Sequence, residues 1–308
     1  MFDVAVLIRK SWPFALVGAL GLSCLPIDDR PPPASVLLRM SGTPTIASGI
    51  PSDALADGWS ITFDKFLVSL GNASLNLDSC TAYTEADYRR IFDGRTLEPQ
   101  KVSLLFALGT CGLNFRVTNP DSDSIVSKGV TDDDKTMMRT SGQDRFTGTS
   151  GSGVSIYVKG SAKKGAVTKT FAWSFRKRVG YADCTNGLDR TPIRYDLQGN
   201  ASLTIDLSIH GEVLFQDHLD PTKAKLRFGP FADADDHGNG DGEVTLDELD
   251  ARTLADAGVT AEDLTVDDAG VTTWTTFADY VYLGLFPQVV RLGDKGTCSA
   301  QLRSSGRG

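Results

Sequence analysis

Residues 202 to 210 alternate without a break. Leu203, Ile205, Leu207 and Ile209 fall on one side, and Ser202, Thr204, Asp206, Ser208 and His210 on the other. A period of two is the signature of a strand with one buried and one wet face. The same period recurs in Val154, Ile156 and Val158, and again in Phe171, Trp173 and Phe175, which follow Val167. The run Gly160–Gly165 between them predicts a hairpin with a longer loop. Ile61 and Phe63 alternate, then Phe66, Val68 and Leu70, with a phase slip at Asp64-Lys65 of the kind a β-bulge makes. Leu113, Phe115 and Val117 form a further strand, as do Ile193, Tyr195 and Leu197. Short alternating segments separated by Gly-, Asn- and Asp-rich turns, with no strand–helix alternation, predict a mainly β fold. The expected body is an antiparallel β-sandwich or open barrel over residues 56–228.

Helical patterns gather after residue 228. From Asp233 to Leu249 the chain reads Asp-Ala-Asp-Asp-His-Gly-Asn-Gly-Asp-Gly-Glu-Val-Thr-Leu-Asp-Glu-Leu. This matches an EF-hand loop in its second half. Asp241 takes the fifth position and Gly242 the sixth, where a sharp turn needs a left-handed backbone. Glu243 offers its carbonyl at the seventh, Val244 is the apolar eighth, Thr245 the ninth, and Glu248 the twelfth, where a bidentate carboxylate closes the site. Asn239 falls on the third position, and His237 stands on the first, where Asp is expected. Bulging His237-Gly238 outward makes Asp235 the first ligand. Looping out four residues gives Asp233 and Asp235 the first and third positions. Without metal, the segment is a solvated acidic turn capping the helix that begins near Thr245. Helices are expected from Thr245 to Ala257 and from Phe277 to Val290, so residues 229–288 form a helical EF-hand-like insertion. Val266–Thr273 lacks the acidic spacing and is read as a metal-free loop. Residues 289–301 return to the β body, and 302–308 form a tail.

The N-terminus reads as an export signal. Arg9 and Lys10 precede a small, apolar run from Pro13 to Ser23, too short for a bilayer span of ~20 residues. Leu20-Gly-Leu-Ser-Cys24 resembles a bacterial lipobox, although Gly21 stands where Leu is preferred. Residues 1–23 are therefore expected to be a signal peptide and Cys24 a lipidated cysteine. Residues 24–55, with Pro26, Pro31, Pro32 and Pro33, are read as a stiff tether. An exported, membrane-anchored protein of the bacterial envelope, in the outer membrane, follows. Cys80, Cys111, Cys184 and Cys298 then suggest two disulfides with three possible connectivities, and chain order favours Cys80–Cys111 with Cys184–Cys298. The net charge of −8 argues against nucleic acid as a partner.

No P-loop, dinucleotide fingerprint or H-E-x-x-H is present, and Gly148-Thr-Ser150-Gly-Ser fails the nucleophile elbow at its last position. The chain is read as a non-enzyme, with an undetected hydrolase as the weakest alternative. His210 and His218, with Glu212 and Asp217 between them, offer imidazole and carboxylate for Cu or Zn. The plainer reading is an exposed histidine at a strand end followed by a polar turn.

The run Gly58–Leu70, His210 with Leu214-Phe215 after it, and Asp241–Leu249 resemble exported lipoproteins of myxobacteria-like bacteria. There is a fainter similarity to β-sandwich metal-binding proteins that partner cytochrome-c-peroxidase-like enzymes, some of which bind copper. The resemblance implies a surface or periplasmic binding protein with a protein or surface-ligand partner, and supplies no catalytic residue. The expected role is structural Ca2+ binding in an interaction module. The alternative is a periplasmic Cu/Zn protein beside a redox enzyme.

Overall fold

Ala34, Val36, Leu38 and Met40 are buried, and the residues between them are half-buried, so the first strand, β1 (Ala34–Gly42), alternates like the later ones. It lies inside the stretch 24–55 expected as a tether. The β body thus begins at residue 34 rather than 56. Leu37 on the less buried face blurs the alternation, which is why sequence pattern alone passes over the strand. The computed structural model describes residues 31–143, 150–151, 153–259 and 274–303. The expected signal peptide, Cys24, the loop Val266–Thr273 and residues 304–308 lie outside the described residues.

The chain continues with α1 (Pro44–Ser48), β2 (Ser60–Asn76), β3 (Cys80–Ala82), β4 (Ala86–Asp93), β5 (Gln100–Val117) and β6 (Ile125–Val126). Next come α2 (Asp132–Arg139), β7 (Gly142–Gln143), β8 (Ser150–Gly151), β9 (Ile156–Lys164), β10 (Val167–Phe175), β11 (Arg178–Asn186), β12 (Tyr195–Leu197) and β13 (Ser202–Ile209). Then α3 (Gly229–His237), β14 (Glu243–Val244), α4 (Leu246–Asp250), α5 (Phe277–Asp279), β15 (Val290–Leu292) and β16 (Gly296–Arg303) complete the described chain.

The fold is mainly β. Six strands in the order β1-β13-β15-β16-β11-β5 close into a barrel because β1 also pairs with β5. Closure leaves these strands no free edge, removing a template for aggregation. Most pairs are antiparallel as expected, but β1 runs parallel to β13, from Ser35 opposite Ser202 to Gly42 opposite Ile209. Residues 43–201 separate these two strands in sequence, so no hairpin fixes their relative direction. From β5 the sheet extends through β2, β9 and β10. The register slips between Phe63 and Lys65, where the sequence phase slipped. Lys164 pairs with Val167, so the β9–β10 turn holds two residues rather than the longer loop expected.

Two disulfides, Cys80–Cys111 and Cys184–Cys298, brace the sheet. The first joins β3 to β5 and the second β11 to β16. Inside, a row of rings runs from the sheet into the later segment. Phe171 stacks on Trp173, Trp173 on Phe231, and Phe231 meets Phe277 at 4.7 Å between centroids. Each such ring buries ~150–250 Å². The helical residues after 228 are thereby fixed to β10.

Those helices are shorter than expected. α4 stops at Asp250 rather than Ala257, because the Thr253 hydroxyl caps Asp256 N–H and the Asp256 carboxylate answers on Thr253, starting a new turn. Residues 277–288 are helical, but through a wide π turn at Tyr280–Leu285 and a 3₁₀ turn at Phe286–Gln288. Among the described residues no helix is long and apolar enough to cross a membrane.

Candidate functional site

The acidic segment lies between α3 and α4. Gly229 and Pro230 open α3, and Gly238 closes it, its N–H reaching Asp235 O. Asp235 therefore sits in the last turn of a helix, facing inward with no exposed surface. Its Oδ1 accepts the Gly242 N–H at 3.3 Å. Gly242 has φ of 89°, the left-handed backbone its position calls for. Asp241 Oδ1 accepts the Glu243 N–H at 2.8 Å, and Asn239 Oδ1 accepts the Asp241 N–H at 3.0 Å. Each short polar side chain thus holds the backbone of the residue two positions on, which folds the loop tightly.

Glu248 binds on two sides. Its Oε2 accepts from the Thr245 N–H and hydroxyl, forming a reciprocal cap on α4. Its Oε1 accepts the Asn239 N–H at 3.4 Å across the loop. A Cβ on Gly238 would stand 2.7 Å from that oxygen, so only glycine lets the carboxylate this close. Val244, fully buried, pairs in parallel with Phe171 of β10, and Trp173 Nε1 donates to Val244 O at 2.9 Å. The edge of the body's own sheet grips the loop through β14.

One residue in this arrangement escaped sequence reasoning. Lys169, on β10, buries its ammonium against Asp235 and also pairs with Asp236 at 2.5 Å. Burial works against the charge, but the two carboxylates outweigh it and raise the Lys169 ammonium above the usual lysine range. Its signal is faint: a lysine on a strand, between Thr168 and Thr170, where the alternation of Val167, Phe171 and Trp173 places an inward residue.

Of the expected ligands, Asp235, Asn239, Asp241 and Glu248 gather on one loop, with Glu243 on β14. Asp233 is exposed on α3, and its carbonyl oxygen accepts from His237 Nδ1. Among the described residues no three His, Cys, Asp or Glu side chains stand close enough to hold a metal ion as they are placed.

The histidines divide as well. His218 Nδ1 accepts the Asp220 N–H at 2.8 Å. His210 is not the exposed strand-end residue expected. It is 8% exposed, with Nε2 on Ser208 Oγ and Nδ1 on Glu212 Oε1, both at 2.8 Å. Thr45 donates to Glu212 Oε2 at 2.8 Å, and Ser208 donates its hydroxyl to Gly293 O. A hydroxyl has one proton, and with it on the Gly293 carbonyl the Ser208 oxygen is left to accept at His210 Nε2. Burial would raise the Glu212 carboxyl, yet the hydrogen bond and charge of His210 and the bond from Thr45 hold it below the usual range. A nucleophilic serine gives its proton to histidine, and here it goes to a carbonyl. The Ser208–His210–Glu212 line ties β13 to α1 and to the turn after β15. The spacing i, i+2, i+4 was its sequence signal.

No protein-family model, curated protein or solved structure matches this chain.

Proposed function

We propose that this chain is an exported calcium-binding module, anchored to a bacterial envelope through a lipidated Cys24, in which Ca2+ orders the Asp235–Glu248 loop. The carrying observation is convergence. Asp235 Oδ1 reaches Gly242 while Glu248 Oε1 reaches Asn239, so the first and last acids of the motif close on one turn. The side chains of Asp235, Asn239, Asp241 and Glu248, with the Glu243 carbonyl, give the oxygen-only set that a hard cation takes. Asp235 rather than Asp233 is then the first ligand.

Lys169 is the resident cation of this loop, and Ca2+ must displace its ammonium from Asp235. Such competition weakens binding toward the ~10⁻⁴–10⁻³ M of extracellular calcium modules, which suits a structural ion outside the cell better than a sensor. Calorimetric titration of Ca2+ into wild type and Glu248→Gln tests the reading. Wild type binds one ion and the variant binds it at least about tenfold more weakly, a loss of about 1.4 kcal/mol. Equal binding by both proteins, or none by wild type, refutes it.

A further inference from the structure

Arg89, Arg116 and Arg178 share the outer face of the sheet. In register, Arg89 of β4 lies opposite Gly71 of β2, Gly71 opposite Arg116 of β5, and Arg116 opposite Gly180 of β11. Directly opposed residues point to one face. Arg178, two residues before Gly180, is the diagonal neighbour of Arg116, within reach of a long side chain. A Cβ on Gly71 would stand 2.9 Å from Arg89 Cγ, so the Arg89 stem lies over the glycine that separates it from Arg116.

The row is short of counter-charge. Arg89 Nη1 stands 3.0 Å from Asp121 Oδ2 and donates to Asn119 O at 3.1 Å. Arg116 and Arg178 form no ion pair among the described residues, and Arg178 Nε is buried with no hydrogen-bond partner. Burial lowers the Arg178 guanidinium below its ordinary value, and the charges of Arg89 and Arg116 lower it further. Asp87 and Asp183, on the same strands, are engaged elsewhere: Asp87 accepts from Asn72 at 2.7 Å, and Asp183 faces Arg194 at 3.9 Å. Like charges held side by side on a sheet cost stability, and an anion set among them recovers it.

We infer that the Arg89–Arg116–Arg178 row binds a phosphate monoester. Three guanidiniums against the one carboxylate of Asp121 leave two charges unanswered. A phosphate monoester carries about −1.5 to −2 at neutral pH and meets both, where a carboxylate meets one. Guanidinium forks match phosphate oxygens in parallel hydrogen bonds. Arg116 is exposed and offers a free fork, while Arg89 and Arg178 are half-buried and held in place. The same ester occurs in soluble metabolites and, as phosphatidic acid, on a membrane surface.

Calorimetric titration of the full chain with glycerophosphate and with glycerol tests this. Wild type binds the phosphate ester and not glycerol. Arg116→Gln, at an exposed side chain, weakens binding about tenfold. Wild-type binding also weakens as pH falls through about 6, where the ester takes up its second proton. The arginines keep their charge there, and so does Asp121, whose carboxyl Ser124 and Arg89 hold below the usual range against its burial. Flotation with phosphatidylcholine vesicles, with and without phosphatidic acid, identifies the source. A lipid chain at Cys24 takes both vesicles alike. A gain from phosphatidic acid that Arg116→Gln loses therefore places the ester in a membrane, and equal flotation leaves a soluble ester as the ligand. Absence of glycerophosphate binding by wild type, equal binding by Arg116→Gln, or affinity that does not change across that pH range overturns the proposal. The two titrations of wild type and their pH profile decide even where the variant fails to fold.

Discussion

Lys169→Met isolates the cation at the centre of the acidic loop. Lys169 is 6% exposed and Asp235 0% exposed, so the substitution strands a carboxylate with no water to solvate it. Removing one partner of such a pair costs about 3–5 kcal/mol, a large share of the ~5–15 kcal/mol that holds a domain folded. Urea unfolding in chelator should show that loss. Calcium should return much of it, because Ca2+ at 100 times its dissociation constant adds about 2.7 kcal/mol and no ammonium opposes it in the variant. Wild type gains less from the same calcium, since part of the binding energy goes into displacing Lys169. Lys169→Met/Asp235→Asn should be more stable in chelator than Lys169→Met alone, since the stranded charge is gone. The pH sign is fixed: an ammonium raised above the usual 10.5 contributes fully below that value, and its contribution fades as pH climbs through the raised one. A Lys169→Met protein within about 1 kcal/mol of wild type in chelator would refute the buried-pair argument. A large loss that calcium leaves untouched would refute Asp235 as a ligand.

Two other outcomes follow from the body. Glu212 has a depressed carboxyl, so its contribution is present above the ordinary 4.5 and is lost as pH falls through the lower folded value. Glu212→Gln should cost about 1–3 kcal/mol at neutral pH and flatten the acid side of a melting-temperature profile, and an unchanged slope there would count against the network. The two disulfides close spans of 31 and 114 residues. Chain entropy gives about 3.7 and about 4.8 kcal/mol for them, so Cys184→Ala/Cys298→Ala should lower the urea midpoint more than Cys80→Ala/Cys111→Ala, and the reverse order would contradict the entropic account.

The sheet was legible wherever a strand kept one face wet. β13, β9 and β10 show their period of two directly, and the bulge at Asp64 shows as a phase slip. β1 was not legible, because its less buried face carries Leu37 and its neighbours in space are β13 and β5, far along the chain. Closure of the barrel depends on that one strand. Sequence order therefore pointed to a sandwich or open barrel, whereas the pairing of β1 with both β13 and β5 closes the ring. Helix lengths failed for a local reason: Thr and Asp at 253 and 256 offer the backbone a competing cap, which an amphipathic count overlooks.

The acidic loop was half legible for a related reason. Its back half, Asp241 to Glu248, is written in local chemistry: side chains that hold the backbone two residues on, a left-handed glycine, and a capping pair on α4. Its front half depends on a distant strand. Asp235 enters the loop because α3 carries it inward and because Lys169, 66 residues earlier, meets it there. An EF-hand loop ordinarily leans on a second loop of its kind. In this chain Val244 leans on Phe171 of β10, and the same strand brings Lys169. The sheet edge thus supplies both the brace for the loop and the charge that holds it without metal. On the proposed reading, the sheet edge keeps β14 in place when the ion leaves, and calcium orders the turn at Asn239–Gly242 without refolding the segment around it. The measurable consequence is that chelation should change amide exchange at Asn239–Glu243 while leaving Trp173 fluorescence and the β10–β14 hydrogen bonds as they are. Loss of β14 protection on chelation would instead make the ion, rather than the sheet, the organiser of the loop.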